Sequence, residues 1–226
     1  MSAPERRRIY LMRHAQVRYF QGLPPHDVTL TDEGRAQARA AAEALRGIRF
    51  DRVVTSGLPR TLETARAIAP GAAIEEQHEL REIESGELRG VAPEAVQEMM
   101  TAAFHGVVPN DTRFLGGETI GELFDRVVPA LDGVLADASW DTALLVLHGA
   151  VNRAILSRAL TGGRTFLGAF EQAPGCINVL DVDAAGSFVV RAVGYTPYDP
   201  VSAGAPRRTT MEHLWQEYLD SRRRSP

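Results

Sequence analysis

Short apolar runs recur along the chain at the length of buried β-strands. The clearest runs cover residues 9–12, 53–55 and 143–147, and two more cover residues 177–182 and 188–193. A "DAAG" segment between the last two runs is typical of a hairpin turn. These runs predict five strands.

Segments with helical periodicity lie between the apolar runs. Thr31 is a suitable N-cap for a helix that reaches about residue 46, and Pro59 suits the first turn of a helix over 59–68. Further helices are expected over 92–103, from Thr119 to about residue 136, and over 151–160, with Pro129 interrupting or kinking the second of these. Strands that alternate with helices imply an α/β fold with a mainly parallel sheet covered on both faces.

The C-terminal region predicts one more helix, over about residues 209–222. Met211, Leu214, Trp215 and Tyr218 recur at i, i+3, i+4 and i+7, which is an amphipathic pattern. We expect this stripe to pack on its own domain, and a homodimer contact through it stays open. The arginine runs at the two ends are expected to be solvated tails.

Composition and charge restrict the class of function. The chain has 226 residues with 44% hydrophobic and 24% charged side chains, which fits a single globular domain over 1–226. The formal net charge of −4 argues against a nucleic-acid partner. The lone Cys176 and the absence of a signal-peptide or membrane-span pattern predict a cytoplasmic protein without a membrane partner.

Two histidines follow strands directly. His14 comes after the run at 9–12, and His148 comes after the run at 143–147. Ligands of open α/β sheets bind outside the carboxyl ends of the strands, so both imidazoles are expected to face one cleft. A single such histidine would more often be structural, but two in equivalent positions favour a functional site.

A metal site is the first alternative, with Glu82 completing a set of two histidines and one carboxylate. Arg13 and Arg60 argue against it, because both are expected at the same edge of the sheet. A guanidinium close to a divalent cation costs several kcal/mol at an intermediate dielectric. The same guanidiniums suit an anion with several oxygens, and phosphate fits best.

The residue types predict phosphoryl transfer through histidine. A neutral imidazole can attack phosphorus, and nearby arginines keep it neutral by lowering its pKa. Its other ring nitrogen must donate a hydrogen bond, for example to a backbone carbonyl. Arg13, Arg60 and a protonated His148 would stabilise the equatorial oxygens. Glu82 is the candidate proton donor to the leaving alkoxide, with Glu84 as competitor; a surface carboxylate is an equally good interpretation of Glu82.

The segments "LMRHAQ", "TSGLPRTLETA", "LREIESGELRG", "GGET" and "VLHGAVNR" occur in the order found in the histidine phosphatase superfamily, the phosphoglycerate-mutase-like proteins. The chain resembles this family over about residues 9–193. The resemblance implies a three-layer α/β/α sandwich with a small helical lid, here about residues 92–117. It implies no metal and no other cofactor.

The resemblance also implies roles for individual residues. His14 resembles the histidine that becomes phosphorylated, and Arg13 and Arg60 resemble ligands of the phosphoryl group. Glu82 matches the usual proton donor, and His148, followed by Gly149, matches the second histidine that contacts phosphate. Glu118 and Thr119 match the segment near the pocket mouth.

The chain departs from the family pattern near the nucleophile. Ala15 and Ala150 replace glycines of the two histidine motifs. Phe20 stands where many relatives have an asparagine that touches phosphate, so that contact is absent or Gln21 supplies it. Tyr19, Phe20 and Leu23 are expected either to form an aromatic or apolar pocket wall or to pack beneath the loop.

Three functions stay open at this point. The short segment from Glu82 to His148 favours, by resemblance, a metal-independent phosphatase acting on a small phosphorylated metabolite. A phosphoglycerate-type mutase is the second function. A non-catalytic phosphate-binding or interaction module is the third, and Ala15 and Phe20 are its only support.

Overall fold

The computed structural model describes residues 6–88, 90–204 and 207–224. A six-stranded mixed sheet forms its centre, in the order β3-β2-β5-β1-β7-β8. The strands are β1 (Arg6–Arg13), β2 (Arg52–Thr55), β3 (Ile74–Glu76), β5 (Thr142–Leu147), β7 (Ile177–Asp183) and β8 (Phe188–Tyr195). The pairs from β3 to β1 are parallel, and β7 and β8 add antiparallel to the other edge.

Helices cover both faces of this sheet. They are α1 (Asp32–Ala44), α2 (Pro59–Ile68), α3 (Pro93–Ala102), α4 (Ile120–Ala136), α5 (Gly149–Thr161) and α6 (Thr210–Arg224). A two-stranded sheet of β4 (Val107–Val108) and β6 (Phe166–Leu167) lies outside the main sheet. None of the described helices is long and apolar enough to cross a membrane.

The central strand β5 shows why the structure has three layers. Leu144 and Val146 pack with residues of α1 and α2 on one face of the sheet. Leu145 and Leu147 pack with residues of α4 and α5 on the other face. Side chains of a strand point alternately to the two faces, so a strand that is apolar at every position needs cover on both. The predicted three-layer α/β/α fold is confirmed.

Three local features differ from the expectations. Arg6–Arg8 are not a solvated tail but the first residues of β1, where Arg8 bonds to Asp181 of β7 at 2.7 Å. Strand β3 was not predicted, because its partly exposed, acidic sequence carries no apolar run. Pro129 does not interrupt α4; it lies on the exposed side of the helix, and the buried stripe on the opposite side continues past it. The alternative, a kink at Pro129, stays a prediction.

The segment predicted as a lid contains α3, and the C-terminal segment contains α6. These helices share an apolar cluster that includes Val96 and Met100 of α3 and Met211 and Tyr218 of α6. The amphipathic stripe of α6 is therefore covered within this chain. The single-domain organisation over 1–226 stays a prediction, and residues 1–5, 89, 205, 206, 225 and 226 lie outside the described part.

Candidate active site

The register of three parallel strands brings three polar residues to one edge of the sheet. Arg13 of β1 pairs with Leu147 of β5, so His14 and His148 follow at the same level. Thr55 of β2 pairs with Val146 of β5, which places Ser56 beside them. The imidazole centroids of His14 and His148 are 5.3 Å apart. The two strand-end histidines face one site, as the sequence pattern predicts.

His14 has one ring nitrogen bonded and one free. The side chain is 1% exposed, and its Nδ1 lies 2.8 Å from the carbonyl oxygen of Ala15. A carbonyl only accepts hydrogen bonds, so Nδ1 carries the proton of the neutral ring. Nε2 is buried without a partner and keeps its lone pair. The predicted bond from His14 to a backbone carbonyl is confirmed, and it leaves Nε2 as the ring nitrogen with a free lone pair.

Two buried guanidiniums accompany the histidines. Arg13 ends β1 and is 7% exposed; Arg60 lies in the first turn of α2 and is 3% exposed. Each is held at one end by a backbone carbonyl, Arg13 by Gln172 and Arg60 by Pro25. Both are thus oriented by protein contacts that leave the Nε atom of each without a partner.

Four buried nitrogen atoms that have no hydrogen-bond partner among the described residues surround the site. They are Arg13 Nε, Arg60 Nε, His14 Nε2 and His148 Nδ1. A buried polar atom without a partner costs about 1–3 kcal/mol, so four around one sheet edge need an explanation. An oxygen-rich anion bound between them would accept from the arginines and meet both imidazoles. We call these four side chains the phosphate cradle.

Electrostatics keeps both histidines of the cradle neutral. Burial, followed by the charges of Arg60 and Arg13, lowers the pKa of His14 well below its ordinary value. Burial and Arg60 likewise lower the pKa of His148 well below its ordinary value. The predicted effect of the arginines on His14 is confirmed. The protonated His148 expected from the sequence concerns a site that holds a phosphoryl group, and it stays a prediction.

Glu82 lies at the N-terminus of α5. Its Oε2 accepts from the backbone N–H of Gly149 at 2.9 Å, and its Oε1 accepts from the N–H of Ala150 at 3.1 Å. These N–H groups have no partners within the helix, and the positive end of the helix dipole attracts a carboxylate. Glu82 is thereby fixed beside His148, which is the residue preceding α5. A purely surface interpretation of this carboxylate is wrong.

Arg126 of α4 holds the segment that carries Glu82. Its guanidinium donates to the carbonyl oxygens of Glu79 and Arg81 at 2.6 and 2.7 Å, and to that of Glu82 at 3.2 Å. The same guanidinium forms a two-pronged ion pair with Glu118, at 2.6 and 2.8 Å. The sequence analysis missed Arg126, because its position within α4 carries no sequence signal for these contacts. Glu118 of the "GGET" segment therefore supports Glu82 indirectly.

A buried polar network lies beneath Arg13. Gln172, whose backbone holds the guanidinium, joins its side chain to Asn178 and Asn152 at 2.9–3.2 Å. Asn178 also donates to the backbone of Leu11 in β1 at 2.9 Å. The network ties β1, β7 and α5 together under the cradle. The sequence analysis missed these residues, since lone amides in apolar surroundings give no distinctive signal.

The loop after His14 places two aromatic residues differently. Phe20 has a φ of 57° and packs its ring against Tyr218 of α6, with centroids 5.5 Å apart. The Tyr19 ring lies 6.0 Å from the Arg60 guanidinium carbon. Burial raises the pKa of the Tyr19 hydroxyl, while the charges of Arg60 and Arg13 oppose that shift. Tyr19, not Phe20, is the aromatic side chain directed towards the cradle.

The remaining predicted site residues differ in their surroundings. Gly149 lies against the site, since a Cβ there would be 3.5 Å from Glu82 Oε2 and 3.7 Å from Arg13 Nε. Gln21 is exposed and makes no hydrogen bond among the described residues. Roles for Gly149, Phe20 and Gln21 in binding substrate stay predictions.

Two further observations concern alternative chemistry. No group of three or more His, Cys, Asp or Glu side chains within the described ranges is arranged to hold a metal ion. Cys176 is fully buried, and burial raises the pKa of its thiol to about 12. The thiol is therefore a poor nucleophile.

A cavity of about 280 Å³ lies next to the site. Its lining includes Phe104, Arg153, Glu171 and Met211. Arg153 is 4% exposed and donates to the carbonyl of Gly149 at 3.2 Å, which joins this cavity to the N-terminus of α5. The cavity has room for a small polar group next to Arg153.

Comparisons with known proteins agree with this geometry. The family model of the histidine phosphatase superfamily (branch 1) matches residues 9–194. A protein from Arabidopsis thaliana named "Probable 2-carboxy-D-arabinitol-1-phosphatase" is 30% identical over 201 residues, which are 85% of this chain and 40% of that protein. A protein from Salmonella paratyphi A named "Probable phosphoglycerate mutase GpmB" is 32% identical over 161 residues, 67% of this chain and 74% of that protein.

A solved structure shows the same fold. The α-ribazole phosphatase from Shigella flexneri superposes with a TM-score of 0.68 at 20% identity, covering 83% of this chain and 96% of that chain. The chain spans less than half the length of the Arabidopsis relative and about three quarters of the Salmonella relative.

Proposed function

Because the chain belongs to the histidine phosphatase superfamily, we propose that it is a metal-independent phosphatase that hydrolyses a small phosphomonoester through a phosphohistidine on His14. The observation that carries this proposal is the set of four buried, partner-free nitrogen atoms of the phosphate cradle. Two of these atoms belong to the guanidiniums of Arg13 and Arg60, which suit phosphate oxygens. A third, His14 Nε2, carries the free lone pair of a neutral imidazole.

In the first step, His14 Nε2 attacks phosphorus in line with the ester oxygen. A P–N bond forms as the P–O bond to the leaving group breaks, and charge spreads over the three equatorial oxygens. Arg13 and Arg60 stabilise that charge. Glu82 gives its proton to the leaving alkoxide, which departs as an alcohol.

In the second step, water attacks the phosphohistidine. The Glu82 carboxylate accepts the proton of the water, the P–N bond breaks, and inorganic phosphate is released. His14 Nε2 recovers its lone pair, and Glu82 is protonated again for the next turnover. The hydrogen bond from His14 Nδ1 to Ala15 keeps the ring in one tautomer and orientation throughout.

The leaving group would lie on the Glu82 side of the cradle, since Glu82 is the proposed proton donor, and the cavity lined by Arg153 is the candidate place for the rest of the substrate. The cavity combines charged and hydroxyl groups with the apolar surfaces of Phe104 and Met211. This lining favours a phosphomonoester whose leaving group is a small polar alcohol, such as a sugar or a hydroxy acid.

Turnover of p-nitrophenyl phosphate and of a panel of phosphorylated metabolites tests the proposal. We expect release of inorganic phosphate in the presence of a chelator, and a His14→Gln variant without turnover. A labelled phosphoenzyme that survives alkali but not acid should form on the wild type and on His78→Gln, a control with an exposed histidine, but not on His14→Gln. Turnover in His14→Gln would exclude the covalent route.

The name of the Salmonella relative makes phosphoglycerate mutase the second candidate. A mutase returns the phosphoryl group to a substrate oxygen instead of to water. Efficient interconversion of 2- and 3-phosphoglycerate with little phosphate release would therefore replace the phosphatase proposal. No turnover of any panel member, together with tight binding of inorganic phosphate, would favour the non-catalytic module.

A further inference from the structure

Ser56 is a fully buried hydroxyl that contacts the second histidine of the cradle. Its Oγ lies 2.7 Å from His148 Nε2 and 3.2 Å from the hydroxyl of Thr61. The other ring nitrogen, His148 Nδ1, belongs to the four partner-free atoms of the cradle. The partner of Nε2 therefore decides which form of the ring faces a bound phosphoryl group.

The protons of the Thr61 and Ser56 hydroxyls can be assigned from the positions of their hydrogen-bond acceptors. Thr61 Oγ1 lies 2.7 Å from the carbonyl oxygen of Leu58, which can only accept, so Thr61 donates there. Ser56 then has one proton for two neighbours, Thr61 Oγ1 and His148 Nε2. The separation of 2.7 Å to Nε2 is short for an N–H donor but ordinary for a hydroxyl donor, whereas the contact with Thr61 is long for a hydroxyl.

The two proton placements have opposite consequences for phosphate. If Ser56 donates to Nε2, the single proton of the neutral ring lies on Nδ1 and can be donated to a phosphoryl oxygen. If Ser56 donates to Thr61, His148 carries its proton on Nε2 and turns a lone pair towards the anion. Only the first arrangement makes a neutral His148 a hydrogen-bond donor in the cradle.

From these contacts we infer that Ser56 is a positioning residue: it donates to His148 Nε2 and holds the neutral ring as the Nδ1–H tautomer, which gives the cradle a donor without a further charge. A cationic His148 beside Arg13 and Arg60 would add like-charge repulsion in a buried site. The neutral tautomer avoids that repulsion before substrate arrives and preorganises the site. The effect of Ser56 on turnover rests on the proposed function, but the tautomer itself does not.

Nitrogen NMR of histidine tests the tautomer directly. The full-length protein is labelled with ¹⁵N-histidine and measured first without added phosphate and then with saturating inorganic phosphate, and His148 is assigned from the signals missing in His148→Gln. We expect a protonated Nδ1 and an unprotonated Nε2 in the wild type. An Nε2–H tautomer, or a doubly protonated ring, would overturn the inference whatever the activity of the protein.

Two variants separate this role from simple packing. Ser56→Ala removes the donor, so the Nε2–H tautomer should appear and the inhibition constant of inorganic phosphate should rise about tenfold, as expected for one buried hydrogen bond. Thr61→Val removes the other neighbour of Ser56 with little change of shape. It should keep the Nδ1–H tautomer and the wild-type inhibition constant.

The outcomes distinguish the inference from the proposed function. A shift to the Nε2–H tautomer in Thr61→Val but not in Ser56→Ala would show that Thr61 orients His148, and would contradict our assignment. A wild-type Nδ1–H tautomer in a protein that turns over no phosphomonoester would support the inference and refute the phosphatase proposal.

Discussion

His14 and His148 lie with their ring centroids 5.3 Å apart and their planes inclined by 65°. Neither bonds to the other. Each ring is fixed at one nitrogen, His14 by the carbonyl of Ala15 and His148 by the hydroxyl of Ser56, and each leaves its second nitrogen unbonded in the interior. Two imidazoles that are oriented by separate partners can take different roles towards one phosphoryl group, the first as nucleophile and the second as donor.

Glu82→Gln should slow poor leaving groups far more than good ones. The amide keeps the shape of the carboxyl group but cannot protonate an alkoxide. We expect a loss of kcat/KM of roughly 10²–10⁴ for alkyl phosphates and a much smaller loss for p-nitrophenyl phosphate. The measurement is a plot of log kcat/KM against leaving-group pKa for both proteins. The matched control is Glu84→Gln, which should keep the wild-type slope; a steeper slope there would assign the acid to Glu84 instead.

Gly149→Ala should reduce activity without unfolding the protein. The new Cβ would lie 3.3 Å from Arg153 Nη1, which must therefore move by a few tenths of an ångström, and it would be in ordinary contact with Glu82 Oε2 at 3.5 Å. Because Gly149 begins α5, alanine is compatible with the helix and favours it by about 0.5–1 kcal/mol. We expect kcat/KM to fall about tenfold while the free energy of unfolding stays level or rises. Unchanged kinetics would show that the close approach at Gly149 is unimportant.

The two aromatic residues after the nucleophile should respond differently to substitution. Tyr19→Phe removes the hydroxyl of a ring that lies 6.0 Å from the Arg60 guanidinium carbon, and is expected to raise KM for phosphomonoesters several-fold with little effect on folding. Phe20→Asn restores the residue type of many relatives but deletes a ring that packs on Tyr218. It should lower the free energy of unfolding by roughly 1–3 kcal/mol and give no gain in kcat/KM. Improved kcat/KM in Phe20→Asn would show that this side chain can reach phosphate after all.

The buried histidines predict a loss of stability in mild acid. Burial and Arg60 lower the pKa of each histidine in the folded state. In mild acid both imidazoles therefore stay neutral in the native protein, while the same histidines bind protons in the unfolded chain. The unfolded state thus binds more protons, and the free energy of unfolding falls as the pH drops below about 6.5, by at most about 1.4 kcal/mol per pH unit for each histidine. Above that pH this contribution to stability is complete.

Urea unfolding at a series of pH values measures this slope. His14→Gln and His148→Gln should each flatten it, because each removes one group that titrates only in the unfolded chain. His78→Gln, at an exposed position, should retain the wild-type slope. Equal slopes in all four proteins would show that carboxylates alone cause the acid sensitivity.

Much of the site followed from sequence because the relevant signals are local. A polar residue directly after a buried strand can be recognised without knowing the fold, and that rule found His14 and His148. Ser56 obeys the same rule after β2, so a stricter application would have found it as well. The capping residue Thr31 was also found locally, since its side chain accepts from the N–H of Gly34 three residues on.

The contacts that orient the site join residues far apart in the chain. Glu82 and Gly149 are 67 residues apart, Arg13 and Gln172 are 159 apart, and Tyr19 and Glu217 are 198 apart. No local pattern encodes such pairs, because they depend on how whole elements pack. The aromatic loop shows this clearly: the sequence placed Tyr19 and Phe20 side by side, and only the packing of α6 turned Phe20 towards Tyr218.

The sequence by itself determined the alternation of strands and helices, the strand-end histidines and the family resemblance, since these depend on residue type and short-range periodicity. The tertiary structure decided which strands are neighbours, which tautomer of His14 is fixed and where Glu82 is anchored. The physical reason is that burial, hydrogen-bond partners and pKa shifts belong to the assembled environment of a group, and distant segments create that environment only when they meet.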